Sequence, residues 1–220
     1  MTGKPTRWRA LFETQWKWTR SVLLLISLTT FAIPLLSLRS SVGARDESLF
    51  ISSMQTWAVA YAFAAAGVGL LTAMLAWAYD HRLRHVYALS LPIERWRYAL
   101  MRFTAGITLI ALPIATLLVG AEIVAHSALV PKTLHSYPIA LTLRFTFAAL
   151  VAYSVFFAIS SATARTAGYI LAAIGLMFAL NIVLRAAGSR IDLPGYLTDL
   201  FLAAPGLLAV FGGRWMLVDV

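Results

Sequence analysis

The chain has 220 residues, of which 60% are hydrophobic and 12% are charged, and its mean hydropathy is +0.80. Soluble globular domains are about 45–50% apolar and about 25% charged, so this composition excludes a soluble core and predicts a polytopic membrane protein. The net charge is +9, but the basic residues lie at the ends of apolar runs, which indicates topology signals and lipid headgroup contacts rather than nucleic-acid binding. The absence of cysteine excludes disulfides and thiol chemistry.

The first helical pattern covers residues 5–20 and is amphipathic. Its apolar members recur at helical spacing and are Trp8, Leu11, Phe12 and Trp16. A basic helix with tryptophan on its apolar side is typical of a helix that lies flat at the membrane interface. A plain extension of the next helix is the alternative. Residues 21–38 then predict a retained first span rather than a cleaved signal peptide, because the preceding basic region is long and aromatic.

The apolar runs predict an all-α membrane domain over residues 1–220, with about six transmembrane helices. After the first span and a polar loop at 39–55, the predicted spans cover residues 57–79, 103–126, 139–162 and 167–187. Residues 196–218 predict either a sixth span or a re-entrant pair of half-helices, because Pro205, Gly206 and Arg214 interrupt the apolar pattern.

The distribution of Lys and Arg predicts a cytoplasmic N-terminus. With six crossings and both termini inside, the inner segments hold 12 Lys and Arg, and the outer segments hold six. Cytoplasmic loops carry the excess of positive charge in membrane proteins. The predicted location is therefore a cell membrane, with a bacterial inner membrane favoured.

The polar interruption at residues 80–102, here called the central segment, joins the second and third predicted spans at the cytoplasmic face. Residues 80–91 predict a short coupling helix whose apolar side comprises Leu83, Val86 and Tyr87. Pro92 fits the first turn of a new helix, where the helix dipole favours Glu94. Such a helix–break–helix arrangement is either a lever that transmits a partner's push to the third span or a simple surface loop.

The sequence lacks the motifs of a nucleotide-binding or catalytic chain. It contains no G-x-x-x-x-G-K-[ST], no H-E-x-x-H and no G-x-S-x-G. His81 and His85 lie four residues apart, but Arg82 and Arg84 repel a cation there. We therefore predict no catalytic, cofactor or metal site in this chain.

Three polar residues within the predicted spans are candidates for a functional role. Glu122 and His126 lie four residues apart near the far end of the third span, and Asn181 lies within the fifth. An ionisable residue inside a membrane is a functional hypothesis by default. The alternatives are a solvated or paired glutamate near the outer interface, and an asparagine that bonds a neighbouring helix.

The end of the central segment carries a recognisable motif. It reads Leu89-Ser90-Leu91-Pro92-Ile93-Glu94-Arg95 and resembles the Leu-x-Leu-Pro-[Val/Ile]-x-Arg pattern of ABC-2 family permeases, the membrane subunits of ATP-binding cassette exporters. The chain length, the amphipathic start and the order of spans are also similar to that family. The family often has a Glu-Arg-Glu cluster and a Gly-Thr step before the motif, where this chain reads Tyr79-Asp80-His81-Arg82-Leu83-Arg84. The haem-exporter membrane subunits are a related possibility.

The resemblance implies that the central segment couples the chain to a separate ATPase. The residues that would make this contact are Asp80, Arg82, Leu83, Arg84, Val86, Tyr87, Leu91, Pro92 and Arg95. It also implies that the chain pairs with a second copy or a paralogue in the bilayer. The partner ATPase would hold ATP and Mg, and this chain would bind no cofactor and no nucleic acid. The alternatives are a membrane scaffold or sensor subunit, and an integral-membrane enzyme that acts on lipid through Glu122 and His126.

Overall fold

The computed structural model describes residues 7–42, 46–82, 94–127, 129–131, 133–161, 164–186, 195–196, 199, 206, 208–212 and 215–219. Its helices are α1 (Arg7–Ser41), α2 (Glu47–Thr56), α3 (Ala58–Arg82), α4 (Arg95–Ala125), α5 (Pro138–Ser161) and α6 (Ala164–Ala186). A short 3₁₀ helix covers Ala209–Phe211, and β1 (His135–Ser136) pairs antiparallel with β2 (Val218–Asp219). The chain forms two compact units: Met1–Phe157 together with Arg214–Val220, and Ala158–Gly213.

Four helical stretches in the described residues are long and apolar enough to cross a membrane. They are Leu11–Ser41, Glu47–Ala78, Arg95–Ala125 and Pro138–Ser161. The all-α membrane prediction is confirmed at this level, but the prediction of six spans is wrong for the part of the chain that the structure describes. The helix at the predicted fifth span, α6, contains a described apolar stretch at Gly175–Leu184, which is shorter than a span.

The C-terminal residues do not end a sixth crossing at Val218. They form β2, in which Val218 pairs with Ser136 and Asp219 with His135, next to the start of α5. The Tyr137 amide also donates to the Leu217 carbonyl at 2.8 Å. In the first unit, β2 therefore lies at the end where α5 begins, opposite the N-terminus of α1.

The helix boundaries also differ from the predicted ones. The N-terminal interfacial helix is not a separate element, because no glycine or proline separates residues 5–20 from the first span and α1 continues without a break. Its 35 residues extend over about 52 Å, well beyond the roughly 30 Å of bilayer hydrocarbon. Part of the predicted loop at 39–55 is helical in α2, where Phe50 and Met54 are buried.

Small residues bring the helices of the first unit close together. A Cβ added to Gly69 of α3 would lie 2.5 Å from the Tyr153 amide nitrogen of α5. A Cβ added to Gly120 of α4 would lie 2.6 Å from the Phe31 carbonyl oxygen of α1. The Thr30 hydroxyl of α1 lies 2.9 Å from the Thr116 hydroxyl of α4. Such close backbone contacts and interhelical hydrogen bonds are the usual means of helix association in lipid.

The position of β2 next to the start of α5 gives a topology prediction. Because the chain has no cysteine, single cysteines can be introduced as Glu94→Cys, Leu129→Cys and Val220→Cys and labelled with an impermeant maleimide in sealed vesicles. We expect Leu129→Cys and Val220→Cys to react from one side and Glu94→Cys from the other. If Val220→Cys and Glu94→Cys are labelled from the same side of the membrane, the strand pairing is contradicted.

Two glycines of α3 give a matched pair of stability predictions. Gly69→Ala places a methyl group against the backbone of α5 and should lower the free energy of unfolding by about 1–3 kcal/mol. Gly67→Ala, two residues earlier, should not lower it, because a Cβ there meets nothing within 4 Å. Equilibrium unfolding in mixed micelles measures both variants, and equal losses would show that α3 and α5 are not in close contact at Gly69.

Candidate functional site

The central segment is bounded by the end of α3 and the start of α4. Helix α3 continues to Arg82, and α4 begins at Arg95, so both ends of the predicted loop are helical. Glu94 is the residue that precedes α4 rather than a member of its first turn. Of the predicted coupling residues, Leu83, Arg84, Val86, Tyr87, Leu91 and Pro92 lie outside the described residues, as do the side chains of Asp80 and Arg82.

The first turn of α4 exposes a basic and aromatic surface. Arg95, Trp96 and Arg97 are all exposed. The Arg97 Nε lies 2.9 Å from a carboxylate oxygen of Glu94, and the Arg97 guanidinium lies 5.2 Å from the centre of the Trp96 ring. Exposed ion pairs contribute little to stability, about 0–1 kcal/mol, so these side chains are free to rearrange against a partner.

Two turns into α4, Arg102 connects this helix to α3. Its side chain is only 2% exposed. Its Nη1 donates to the Ala76 carbonyl of α3 at 2.7 Å. Its Nε and Nη2 donate to the Tyr98 hydroxyl at 3.0 and 2.7 Å. A buried charge is tolerated only when it is well hydrogen-bonded, so these contacts fix α4 against the last turns of α3.

Aromatic side chains surround this connection and extend it to α5. The aromatic cluster consists of Trp77, Tyr98, Phe103, Tyr153 and Phe157. The Phe103 and Tyr153 rings stack with centroids 5.1 Å apart, and Trp77 meets Phe157 at 5.3 Å. The Tyr153 hydroxyl donates to the Phe103 carbonyl at 3.1 Å. Packed aromatic pairs add about 0.5–1.5 kcal/mol each beyond area burial, so three helix ends are held together at the base of the central segment.

The described contacts join three helices next to the central segment. The described parts of the site offer a buried, hydrogen-bonded cation and a packed aromatic cluster, and neither group is placed as a nucleophile or a general base. A load applied to the central segment would reach α3 and α4 together, because Arg102, the last residue of the segment, donates to the Ala76 carbonyl about one turn before its first residue. The cluster would pass the same load to α5 through Tyr153 and Phe157.

Two of the three predicted polar residues, Glu122 and His126, lie at the far end of α4 from this site. The His126 Nδ1 lies 3.6 Å from a Glu122 carboxylate oxygen at the far end of α4, with the His126 side chain 81% exposed. The same nitrogen lies 3.0 Å from the Glu122 carbonyl oxygen. Asn181 is buried in α6, within the second unit. The Glu122–His126 pair is thus a local contact at a helix end.

The sequence reasoning missed the residues that hold the site together. It treated Arg102 only as a topology signal and gave no role to Tyr98, Trp77 or Tyr153. A usable signal was the Tyr98–Arg102 spacing of four residues, which puts a hydroxyl and a guanidinium on one face of a helix at the start of an apolar run.

Comparison with known proteins assigns no family to the chain. No family model, no curated protein and no solved structure matches it.

The hydrogen bonds to Tyr98 give a testable prediction. Tyr98→Phe removes the acceptor of two Arg102 hydrogen bonds and leaves a buried cation with fewer partners, at a cost of about 1.5–3 kcal/mol in the free energy of unfolding. Tyr169→Phe, at a 74% exposed tyrosine, is the control and should change it by less than about 0.5 kcal/mol. Equal, small changes in mixed-micelle unfolding would show that the Arg102 contacts do not stabilise the helix pair.

Proposed function

We propose that the chain is the membrane-spanning permease subunit of an ATP-binding cassette exporter of the ABC-2 type. The observation that carries the proposal is that the Leu89–Arg95 motif lies, in the sequence, between two long apolar helices that the Arg102–Ala76 hydrogen bond joins. A segment that receives a push from a partner needs this arrangement, since a loop on independent helices would deform without moving them.

The proposed mechanism follows from that connection. Closure of two cytoplasmic ATPase subunits on ATP displaces the central segment, and the exposed Arg95–Arg97 turn forms part of the surface that they contact. Arg102 and the aromatic cluster transmit the displacement to α3, α4 and α5. Movement of these helices opens a path for substrate to the other side of the membrane.

The absence of a P-loop motif in the sequence indicates which partners the chain needs. Without a P-loop motif, the chain depends on a separate ATPase for ATP and Mg, and a second copy or a paralogue supplies the other half of the pathway. The proposed location is a cell membrane with the N-terminus in the cytoplasm.

Two other functions make different predictions. A scaffold or sensor subunit has the same helices and no ATPase partner. A lipid-modifying enzyme depends on Glu122 and His126, whose exposed contact at the end of α4 is that of an ordinary pair four residues apart.

Charge reversal at the start of α4 tests the ATPase contact. Arg95→Glu should reduce the ATPase that co-purifies with the tagged chain by at least about tenfold, because like charges facing each other at an interface cost several kcal/mol. Arg39→Glu is the matched control, since Arg39 is also exposed but lies near the other end of the first unit, at the end of α1. It should leave both membrane insertion and co-purification unchanged.

The results of this experiment test the contact surface and the exporter proposal separately. If both variants retain the ATPase equally, the contact surface is wrong. If the unmodified chain purifies as an ATPase-free oligomer, the exporter proposal itself is wrong.

A further inference from the structure

A lateral groove separates α1 from α3 at the middle of both helices. It has a volume of about 270 Å³ and is lined by Leu25, Ile26 and Thr30 of α1 and by Ala64, Gly67 and Leu71 of α3. Thr30 is buried and lies on the floor, whereas Leu25 and Leu71 are exposed and form the rim. Both helices belong to the stretches that can cross a membrane, so in a bilayer the groove opens into the hydrocarbon layer.

The lining of the groove is almost entirely apolar. Besides the six residues above, Thr29 contributes a hydroxyl, which donates to the Leu25 carbonyl at 3.0 Å. The Thr30 hydroxyl is within hydrogen-bond distance of the Thr116 hydroxyl and the Pro113 carbonyl of α4. A polar solute would leave its own hydrogen-bonding groups unsatisfied there, at a cost of several kcal/mol in hydrocarbon.

The rim decides between a lipid and another helix as the occupant. Leu25 of α1 is 66% exposed, and Leu71 of α3, which also lines the groove, is 38% exposed. Close helix association in membranes requires small residues that let backbones approach, and a helix with its side chains is about 10–12 Å across. These large side chains would hold a second helix away from the floor. A flexible hydrocarbon chain can pass between them.

We propose that the groove between α1 and α3 binds one acyl chain of a membrane lipid. The free space beside Gly67 makes room for the chain, since a Cβ there would meet no atom within 4 Å. The proposal is independent of the exporter assignment, because it rests only on the shape, depth and lining of the groove.

Photo-crosslinking tests the proposal. The full chain is placed in nanodiscs of phosphatidylethanolamine and phosphatidylglycerol with a trace of phospholipid that carries a diazirine in the middle of one acyl chain, and the adducts are mapped by mass spectrometry. We expect adducts on the groove residues in several-fold excess over exposed apolar side chains outside it, such as Leu24 and Leu28.

Filling the groove provides the matched comparison. Gly67→Leu puts a side chain into the open space and should reduce the groove adducts several-fold. Gly175→Leu makes the same substitution at an exposed glycine of α6, where a Cβ also meets no atom within 4 Å, and should leave them unchanged.

Two results would overturn the proposal, and both can be obtained with the unmodified chain. Adducts spread over all lipid-facing residues in proportion to their exposure would show that the groove holds no lipid preferentially. Crosslinks between the groove and a second copy of the chain would show that protein, rather than lipid, covers it.

Discussion

The first unit depends on one buried cation. A guanidinium with 2% exposure at the start of an apolar helix is unfavourable unless its hydrogen bonds are made, and the described contacts of Arg102 are made by the Tyr98 hydroxyl and the Ala76 carbonyl. The first partner lies on its own helix and the second on α3. Neither helix can shift along the other at this point without breaking a charge-assisted hydrogen bond, which is stronger than a neutral one.

The other helix contacts of the first unit are arranged around Arg102. The aromatic cluster fills the space around Arg102 and brings the end of α5 to the same place, and the Gly69 contact keeps α3 and α5 close two turns earlier. At the opposite end of the unit, the joining elements are short and polar. There Thr133 donates to Glu47 at 2.6 Å, and β2 pairs with β1. A proposed push on the central segment therefore acts on helices that are already joined to one another.

The sequence predicted the apolar spans better than the ends of the helices. The fourth span was expected at 139–162 and is Pro138–Ser161, because Pro138 marks its start and the run that follows Arg144 is free of charge. The third was expected from residue 103, but α4 begins at Arg95, since Arg95 and Arg97 are good helix formers and hydropathy cannot detect a helix that continues into water. The prediction that a sixth span ends at Val218 failed for a different reason. Val218 and Asp219 pair with β1, and hydropathy alone cannot distinguish such strand residues from the end of a span. The role of Arg102 depends on a carbonyl 26 residues away, a long-range contact that the local pattern does not contain.

The central claim is that a partner ATPase acts on this chain through the central segment. The most direct test puts a photo-reactive benzophenone amino acid in place of Tyr87, irradiates native membranes and identifies the crosslinked protein by mass spectrometry. Our interpretation predicts a P-loop ATPase as the main adduct, with much less when the same amino acid replaces Leu129 in the loop between α4 and α5. An adduct with lipid alone, or with a protein that lacks an ATPase motif, would contradict it.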